Sequence, residues 1–371
     1  MMGISGISEA VAARAQNVAD AFTGVTGVAV DARVLLTGRA AMLGLRPRGR
    51  ISAGGATHLF PSFDGRWCAL TLSRPDDVAA VPALVQADAV QADHWPLVET
   101  WAAATDAHTI AERARLLGLP VAVLGETAGA TPRITELWPR GTGGPLTGLL
   151  VADLSSMWAG PLCGQLLRQA GATVVKVESL TRPDGTRNGP QEFFDWMNHG
   201  KISYAVDFTT PSGLAALLDV ADVVIESSRP AALVRRGLGP DALAPREGRV
   251  WVRITGHGTT GGRADWVAFG DDAAVSGGLV ENNAGTPGFA GDAIADPLTG
   301  LHAAHAVAES LARGGGELIE LAMSAVAATY ADLTSAGGDV TALAPVPAPP
   351  GPALGAGNDA VTRLIAGRRP C

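Results

Sequence analysis

The sequence predicts an α/β protein: a doubly wound, mostly parallel sheet with a smaller α+β unit ahead of it. Three observations carry this. Residues 149–178 read LLVADLSSMWAGPLCGQLLRQAGATVVKVE. An apolar run ends at Asp153, a small-residue turn follows, Leu162, Leu166 and Leu167 share a helical face, Gly171 stops it, and a second apolar run closes on Glu178. That is strand, turn, helix, strand: one βαβ unit. From 148 to 332 strand-like and helix-like segments keep alternating, which implies a mostly parallel sheet with helices on both faces. Finally, 371 residues that are 47% hydrophobic and 17% charged supply a large core and enough chain for two or three domains.

Taken in order, 9–22 (EAVAARAQNVADAF) and 31–45 (DARVLLTGRAAMLGL) read as helices. A mixed unit follows over 51–125. Phe63-Asp64-Gly65-Arg66 signals a turn, 67–72 and 119–124 read as strands, and helices fall near 77–86 and 96–117. The Gly-, Thr- and Pro-rich stretch after Gly125 reads as a linker. Strands are expected at 149–154, 173–177, 203–206, 223–225 and 250–254. Helices are expected near 161–170, 211–220, 230–236, 272–280, 297–313 and 317–332. Beyond Ser335 the chain turns Ala-, Pro- and Gly-rich and is expected to be poorly ordered, apart from a helix near 359–366. The domain division is therefore 1–125, small α+β with N-terminal helices; 126–147, linker; 148–335, large domain; 336–371, tail.

The formal charge of −8 argues against a nucleic-acid binder, since a phosphate backbone is met by a basic surface. It leaves room for a local Lys/Arg patch facing an anionic ligand. Cys68, Cys163 and Cys371 are far apart, without metal spacing, and an odd count fits a reducing, cytoplasmic setting. Cys163 lies on an apolar helical face and is expected as a buried thiol. The first residues lack a basic start followed by an apolar core, so no secretory signal is expected. The nearly uncharged run 149–167 holds Asp153, Gly160 and Pro161, and reads as strand and turn rather than a membrane span.

Four groups of residues could carry chemistry. The loop Ile254-Thr255-Gly256-His257-Gly258-Thr259-Thr260-Gly261-Gly262 follows a strand, and glycines such as Gly258 and Gly261 let N–H groups face an anion or oxyanion. A plain surface loop would look the same. Asp271 and Asp272 open an apolar helix, as helix caps or as a nucleophile or base. Asp292 and Asp296 precede another, with Asp296-Pro297 matching a cap followed by proline. Lys176, Arg182, Arg187, Lys201, Arg229 and Arg235 could converge on one sheet edge, although each alone reads as surface charge. His199, His257, His302 and His305 show no metal spacing, and Gly141-Thr142-Gly143-Gly144 precedes its strand, so the dinucleotide fingerprint is absent.

Together these segments resemble the family III CoA-transferases, a group that includes formyl-CoA transferases, carnitine CoA-transferases and α-methylacyl-CoA racemases. The likeness rests on VADLSSMWAGPLCGQLLRQAGATVVKVE at 151–178, NHGKISYAVDF at 198–208 and ADVVIESSRPAALVRRGLG at 221–239. VRITGHGTTGG at 252–262 and DPLTGLHAAHAVAESLARGGGELIELAMSAV at 296–326 complete it. FPSFDGRWCALTL, then Trp101 with AERARLLGLPVAVL, is similar to the family's small domain, here placed first as in a circular permutation. The resemblance implies a Rossmann-like CoA-binding large domain, acyl-CoA and carboxylic acid substrates, no metal, and a homodimer that in relatives is commonly interlocked. It implies a covalent mechanism with Asp271 as nucleophile, Asp272 in reserve, and Gly258 and Gly261 among the oxyanion donors. In the racemase branch a His precedes the first Asp; here Gly270 stands there, while the second acid is present as Asp296. For CoA the resemblance points to Trp158, Lys176, Lys201, Glu226, Ser227, Ser228, Arg229 and Arg235, with Lys201 and Arg235 foremost. The alternatives are an acyl-CoA racemase or epimerase, a non-catalytic CoA-binding subunit, and, more remotely, a nicotinamide dehydrogenase.

Overall fold

The computed structural model describes residues 4–88, 93–210, 212–229, 231–334 and 338–368. The chain opens with β1 (Ile4–Ser8), α1 (Glu9–Thr26) and α2 (Ala32–Leu43). Ser8 caps α1 by accepting from Val11 N–H, and Asp31 caps α2 by accepting from Arg33 and Val34. Next come β2 (Thr57–Pro61), β3 (Trp67–Thr71), α3 (Pro75–Ala79), α4 (Val81–Val85), α5 (Trp95–Ala103), α6 (Ala107–Leu116) and β4 (Val121–Val123). The helix expected over 96–117 is thus two. Asp106 caps the second by accepting from Thr109 N–H. β2, β3 and β4 form an antiparallel sheet, and Phe60, Leu70, Val98 and Ile110 join its own small core.

The large sheet holds β5 (Arg133–Glu136), β6 (Leu150–Asp153), β7 (Thr173–Ser179), β8 (Ile202–Val206), β9 (Val223–Glu226), β10 (Val250–Thr255) and, later, β13. Between them run α7 (Ala159–Gln169), α8 (Gln191–Asn198), α9 (Ser212–Val220), α10 (Ala231–Val234) and α11 (Gly270–Ser276). The hairpin β11 (Val280–Asn283)–β12 (Thr286–Phe289) leads to α12 (Ala295–Ala312), β13 (Glu317–Ala322) and α13 (Met323–Ala328). β14 (Asp339–Thr341) and α14 (Asn358–Arg368) end the chain. The order across the sheet is β8-β7-β6-β9-β10-β13-β5, parallel except for β5. Numbering the parallel strands as the chain makes them gives 3-2-1-4-5-6, so the order reverses between β6 and β9. Ligands of open α/β sheets bind at such a reversal, outside the strands' carboxyl ends.

Period-two alternation sends neighbouring side chains to opposite faces. Val151, Val223, Ile225, Val252 and Ile319 enter a core shared with α1, α2, α7 and α12, while Leu150, Ala152, Val224 and Trp251 enter one shared with α9 and α14. α12 is the central helix. Gly300 lets it cross α7 closely: a Cβ there would stand 2.6 Å from the Ala159 carbonyl oxygen and 3.0 Å from Leu162.

Four expectations are corrected. Residues 317–322 form a strand, not the start of a helix. Glu317 and Glu320 suggest a helical polar face, yet Arg313 and Arg140 reach the first and Arg253 and Arg133 the second, so both acids lie inside a sheet. The linker contains β5, an edge strand on β13. The N-terminal helices share the large sheet's core, because Val11, Ala15, Phe22 and Leu36 are buried there. The tail is tied down: β14 pairs with β1, Val361 and Ile365 enter the core, and Arg368 meets Asp222 at 2.6 Å. Cys68 and Cys163 are buried free thiols, as expected for Cys163; Cys371 lies outside the described residues. Among the described residues no helix is long and apolar enough to cross a membrane, and no group of three or more ligating side chains could hold a metal.

Candidate active site

Four carboxylates and one guanidinium meet where α11 and the loop before α12 close over the sheet. The loop after β12 turns through Gly291 and Ala293, both at positive φ, +67° and +44°. This tight turn presents the Ala293 N–H to Asp271 Oδ1 at 2.9 Å and buries Asp292. A side chain on Gly270 would overlap the Ala293 carbonyl oxygen and Asp296 Oδ2, so the Asp296 carboxylate lies directly over the Gly270 backbone. Its other oxygen, Oδ1, accepts a long hydrogen bond (3.4 Å) from Ala159 N–H, at the N-terminus of α7. α7 follows β6, so Asp296 stands beside the strand reversal. Arg39, from α2, reaches Asp292 Oδ1 at 3.3 Å and packs over Trp158 and Phe193 with its guanidinium carbon 5.3 Å from each ring centre.

Enclosure by protein sets the electrostatics. Burial pushes Asp271 up to about 7, and the Asp292 charge adds to this, against the Ala293 N–H, Arg39 and Ser52. Burial likewise raises Asp296 to about 7, opposed by Arg39 and the Ala159 N–H. Asp292 is raised by burial against Arg39. Asp271 and Asp296 nonetheless keep some solvent exposure, whereas Asp272 has none. Asp272 Oδ1 accepts from Phe269 N–H at 3.0 Å and Thr71 Oγ1 at 2.8 Å, and burial pushes this acid to about 8. It caps α11 and pins the small sheet to it. A group so enclosed cannot reach a substrate, which removes Asp272 as a nucleophile.

The residues expected to hold CoA divide in two. Lys176 and Lys201 are fully buried. Lys176 pairs with Asp184 at 2.8 Å and donates to the Ser155 carbonyl; Lys201 pairs with Asp153 at 2.9 Å and donates to the Pro161 carbonyl and Asn198. Burial opposes the charge on both. Around Lys176 the carboxylates of Asp184, Asp153 and Glu178 outweigh it and its pKa rises, while that of Lys201 falls. They brace the loop after β6 from beneath and present no charge to a ligand. Trp158 is buried under Arg39, so it offers no open face to an adenine. Glu226 is buried and accepts from Trp251 Nε1 at 2.9 Å and Arg253 Nε at 3.1 Å. Ser227 accepts from Ser156 N–H at 3.3 Å, across the strand reversal. Ser228 is half-buried; Arg229 and Arg235 are exposed.

The glycine loop is not joined to the acids by any hydrogen bond among the described residues. Gly258 donates its N–H to Thr255 Oγ1 at 3.0 Å, so that donor is committed within the loop. Gly258 and Gly261 adopt φ of +101° and +62°, which accounts for the residue type by backbone geometry. Loop residue His257 is buried edge-on to Trp266, and burial lowers it to about 4. Sequence reasoning missed Arg39, Ser52 and Thr71, which come from the first 71 positions and reach acids some 200 residues later. An open groove of about 770 Å³ lies elsewhere, beside Glu9, Gln16, Asp31 and Arg33, and includes none of these acids.

The model of CoA-transferase family III matches residues 146–355. A succinate–glutarate CoA-transferase of Agrobacterium fabrum is 33% identical over 205 residues, 48% of this chain and 51% of that protein. A formyl-CoA:oxalate CoA-transferase of Rhodopseudomonas palustris is 32% identical over 196 residues, 48% and 46% of the two chains. A crystal structure of a hypothetical protein from Mycobacterium tuberculosis superposes with a TM-score of 0.47 at 30% identity, covering 53% of this chain and 59% of that one. The chain spans about half the length of the curated relatives it matches. With a family model covering more than half of its residues, the chain belongs to CoA-transferase family III.

Proposed function

We propose that this chain transfers CoA between carboxylic acids, with Asp296 as the nucleophile. One observation carries the choice of residue: Asp296 is the partly open carboxylate that touches the N-terminus of α7 beside the strand reversal. Asp271, the first expectation, is tied to the Ala293 N–H. The relatives' names support the reaction class.

The chemistry balances without redox change. The Asp296 carboxylate attacks the thioester carbonyl, the C–S bond breaks, and a mixed anhydride and CoA thiolate form. The thiolate attacks the aspartyl carbonyl of the anhydride, releasing the first acid as its carboxylate and leaving an aspartyl-CoA thioester. The acceptor carboxylate then reverses both steps, restoring Asp296. The Ala159 N–H and the α7 dipole favour charge at this point, and enclosure limits hydrolysis of the anhydride. Ser227, Ser228 and the exposed Arg229 follow directly on β9, with the exposed Arg235 just after α10, and we assign the CoA phosphates to these two arginines. The small unit ahead of the sheet fits a permuted family order. A cytoplasmic homodimer completes the proposal; sedimentation at micromolar concentration reads the dimer.

Two-base racemisation finds no support at Gly270, where a histidine side chain would collide with Asp296. The test is CoA exchange between a panel of acyl-CoAs and free acids. Asp296→Asn is expected to lose the exchange while retaining CoA binding; full activity in that variant would refute the assignment.

A further inference from the structure

The acid cluster poses an electrostatic problem for the proposed reaction. An anionic acid substrate must approach the aspartyl-CoA thioester with Asp271 and Asp292 close by. A cation positioned to accept the incoming charge would remove that obstacle, and among the described residues Arg39 acts on Asp271, Asp292 and Asp296 together. Its guanidinium carbon lies 5.3 Å from the ring centres of both Trp158 and Phe193, which stand edge-to-face, so the two rings limit where it can move before any ligand arrives. Its side chain is 25% exposed. Among the described residues it makes a single hydrogen bond, from Nη1 to Asp292 at 3.3 Å. Nη2 lies on the Gly54 side, 3.8 Å from where a side chain at that position would begin, and glycine leaves the space open. A guanidinium offers five donors in a fork matched to a carboxylate.

We propose that Arg39 receives the carboxylate of the acid substrate, on the part of its fork that Asp292 leaves unused. The ligand class is a small organic carboxylate. This rests on the transferase reading for its role in turnover, but the binding itself can be read without turnover. Asp292 is then a competitor for the same guanidinium, tempering its affinity.

The experiment measures binding of formate, oxalate, succinate and glutarate to the full-length chain by calorimetry, alongside steady-state constants for acid and acyl-CoA separately. Hydrogen bonds to charged groups contribute about 1.5–3 kcal/mol, so Arg39→Gln is expected to weaken acid binding about 10- to 100-fold. The KM for the acid should rise equally, with the KM for acyl-CoA rising less. Arg39→Lys, which keeps charge but loses the fork, should fall between. Asp292→Asn should tighten acid binding. Circular dichroism of each variant confirms folding. Equal acid affinity in wild type and Arg39→Gln, or no binding of any acid to wild type, overturns the proposal. Acid binding that depends on Arg39 without any CoA exchange would instead sink the transferase reading and leave the site standing.

Discussion

At the residue scale, the site is a set of acids whose protonation is set by enclosure and by each other. Asp271 and Asp296 are both held near 7, so at neutral pH the two sit close to their titration midpoints. A nucleophilic carboxylate must be ionised. The transfer rate is therefore expected to rise with pH through about 7 and then level, read as a kcat–pH profile. Asp271→Asn removes a neighbouring negative charge and should move that limb to lower pH. Gly270 is fixed by contact: Gly270→Ala drives a methyl into the Ala293 carbonyl and Asp296, and is expected to cost about 1–3 kcal/mol in urea unfolding with loss of activity. The acids were legible in the sequence because they sit at helix starts in a glycine-rich setting. Their ranking was not, since capping and catalysis use the same residue type. Asp272 shows this: only the Thr71 and Phe269 contacts identify it as structural. Arg39 was illegible because it meets Asp292 across 253 positions.

At the scale of elements, the loop between β6 and α7 is the part most dependent on buried charge. Lys176 holds its Ser155 carbonyl and Lys201 the Pro161 carbonyl in the first turn of α7, while they neutralise Asp184 and Asp153. Removing one partner of a buried pair leaves an uncompensated charge, which costs about 3–5 kcal/mol. Lys201→Met should lower stability by that order in urea unfolding, as expected of a brace. A phosphate ligand would behave differently: stability would hold and CoA affinity would fall. The strands β6, β7, β9 and β10 were readable as apolar runs because each is covered on both faces. β13 was not, since Glu320 takes its arginine partners from remote segments while Glu317 pairs with Arg313 four positions back, a helical spacing. β5 was hidden in Gly- and Pro-rich surroundings and is exposed along its length, so no hydrophobic pattern marks it.

At the scale of the whole molecule, the acid cluster burdens the fold. In the unfolded chain each aspartate titrates near about 3.9, while in the folded chain Asp271, Asp296 and Asp272 hold their protons to about 7, 7 and 8. Between these limits these groups bind more protons in the folded state, so their contribution to stability falls as pH rises from 4 to 8, while His257 and His302, lowered from 6.5 to about 4, oppose it in the lower part of that range. Urea midpoints should be higher at pH 5 than at pH 8, and Asp271→Asn should lessen the difference. A midpoint that climbs over this range would contradict the enclosure inferred for these groups. The doubly wound sheet was legible in the alternation of segments. The packing of α1 and α2 onto α12 was not, because an amphipathic helix shows its apolar face without naming what covers it.

The decisive measurement is mass spectrometry of the chain after incubation with acyl-CoA and trapping with hydroxylamine, which converts an aspartyl thioester or anhydride to a hydroxamate. Asp271 and Asp296 fall in one tryptic peptide, so fragment ions must assign the position. The expected result is a hydroxamate on Asp296, absent in Asp296→Asn. A hydroxamate on Asp271, or none with any acyl-CoA that the chain binds, would contradict it.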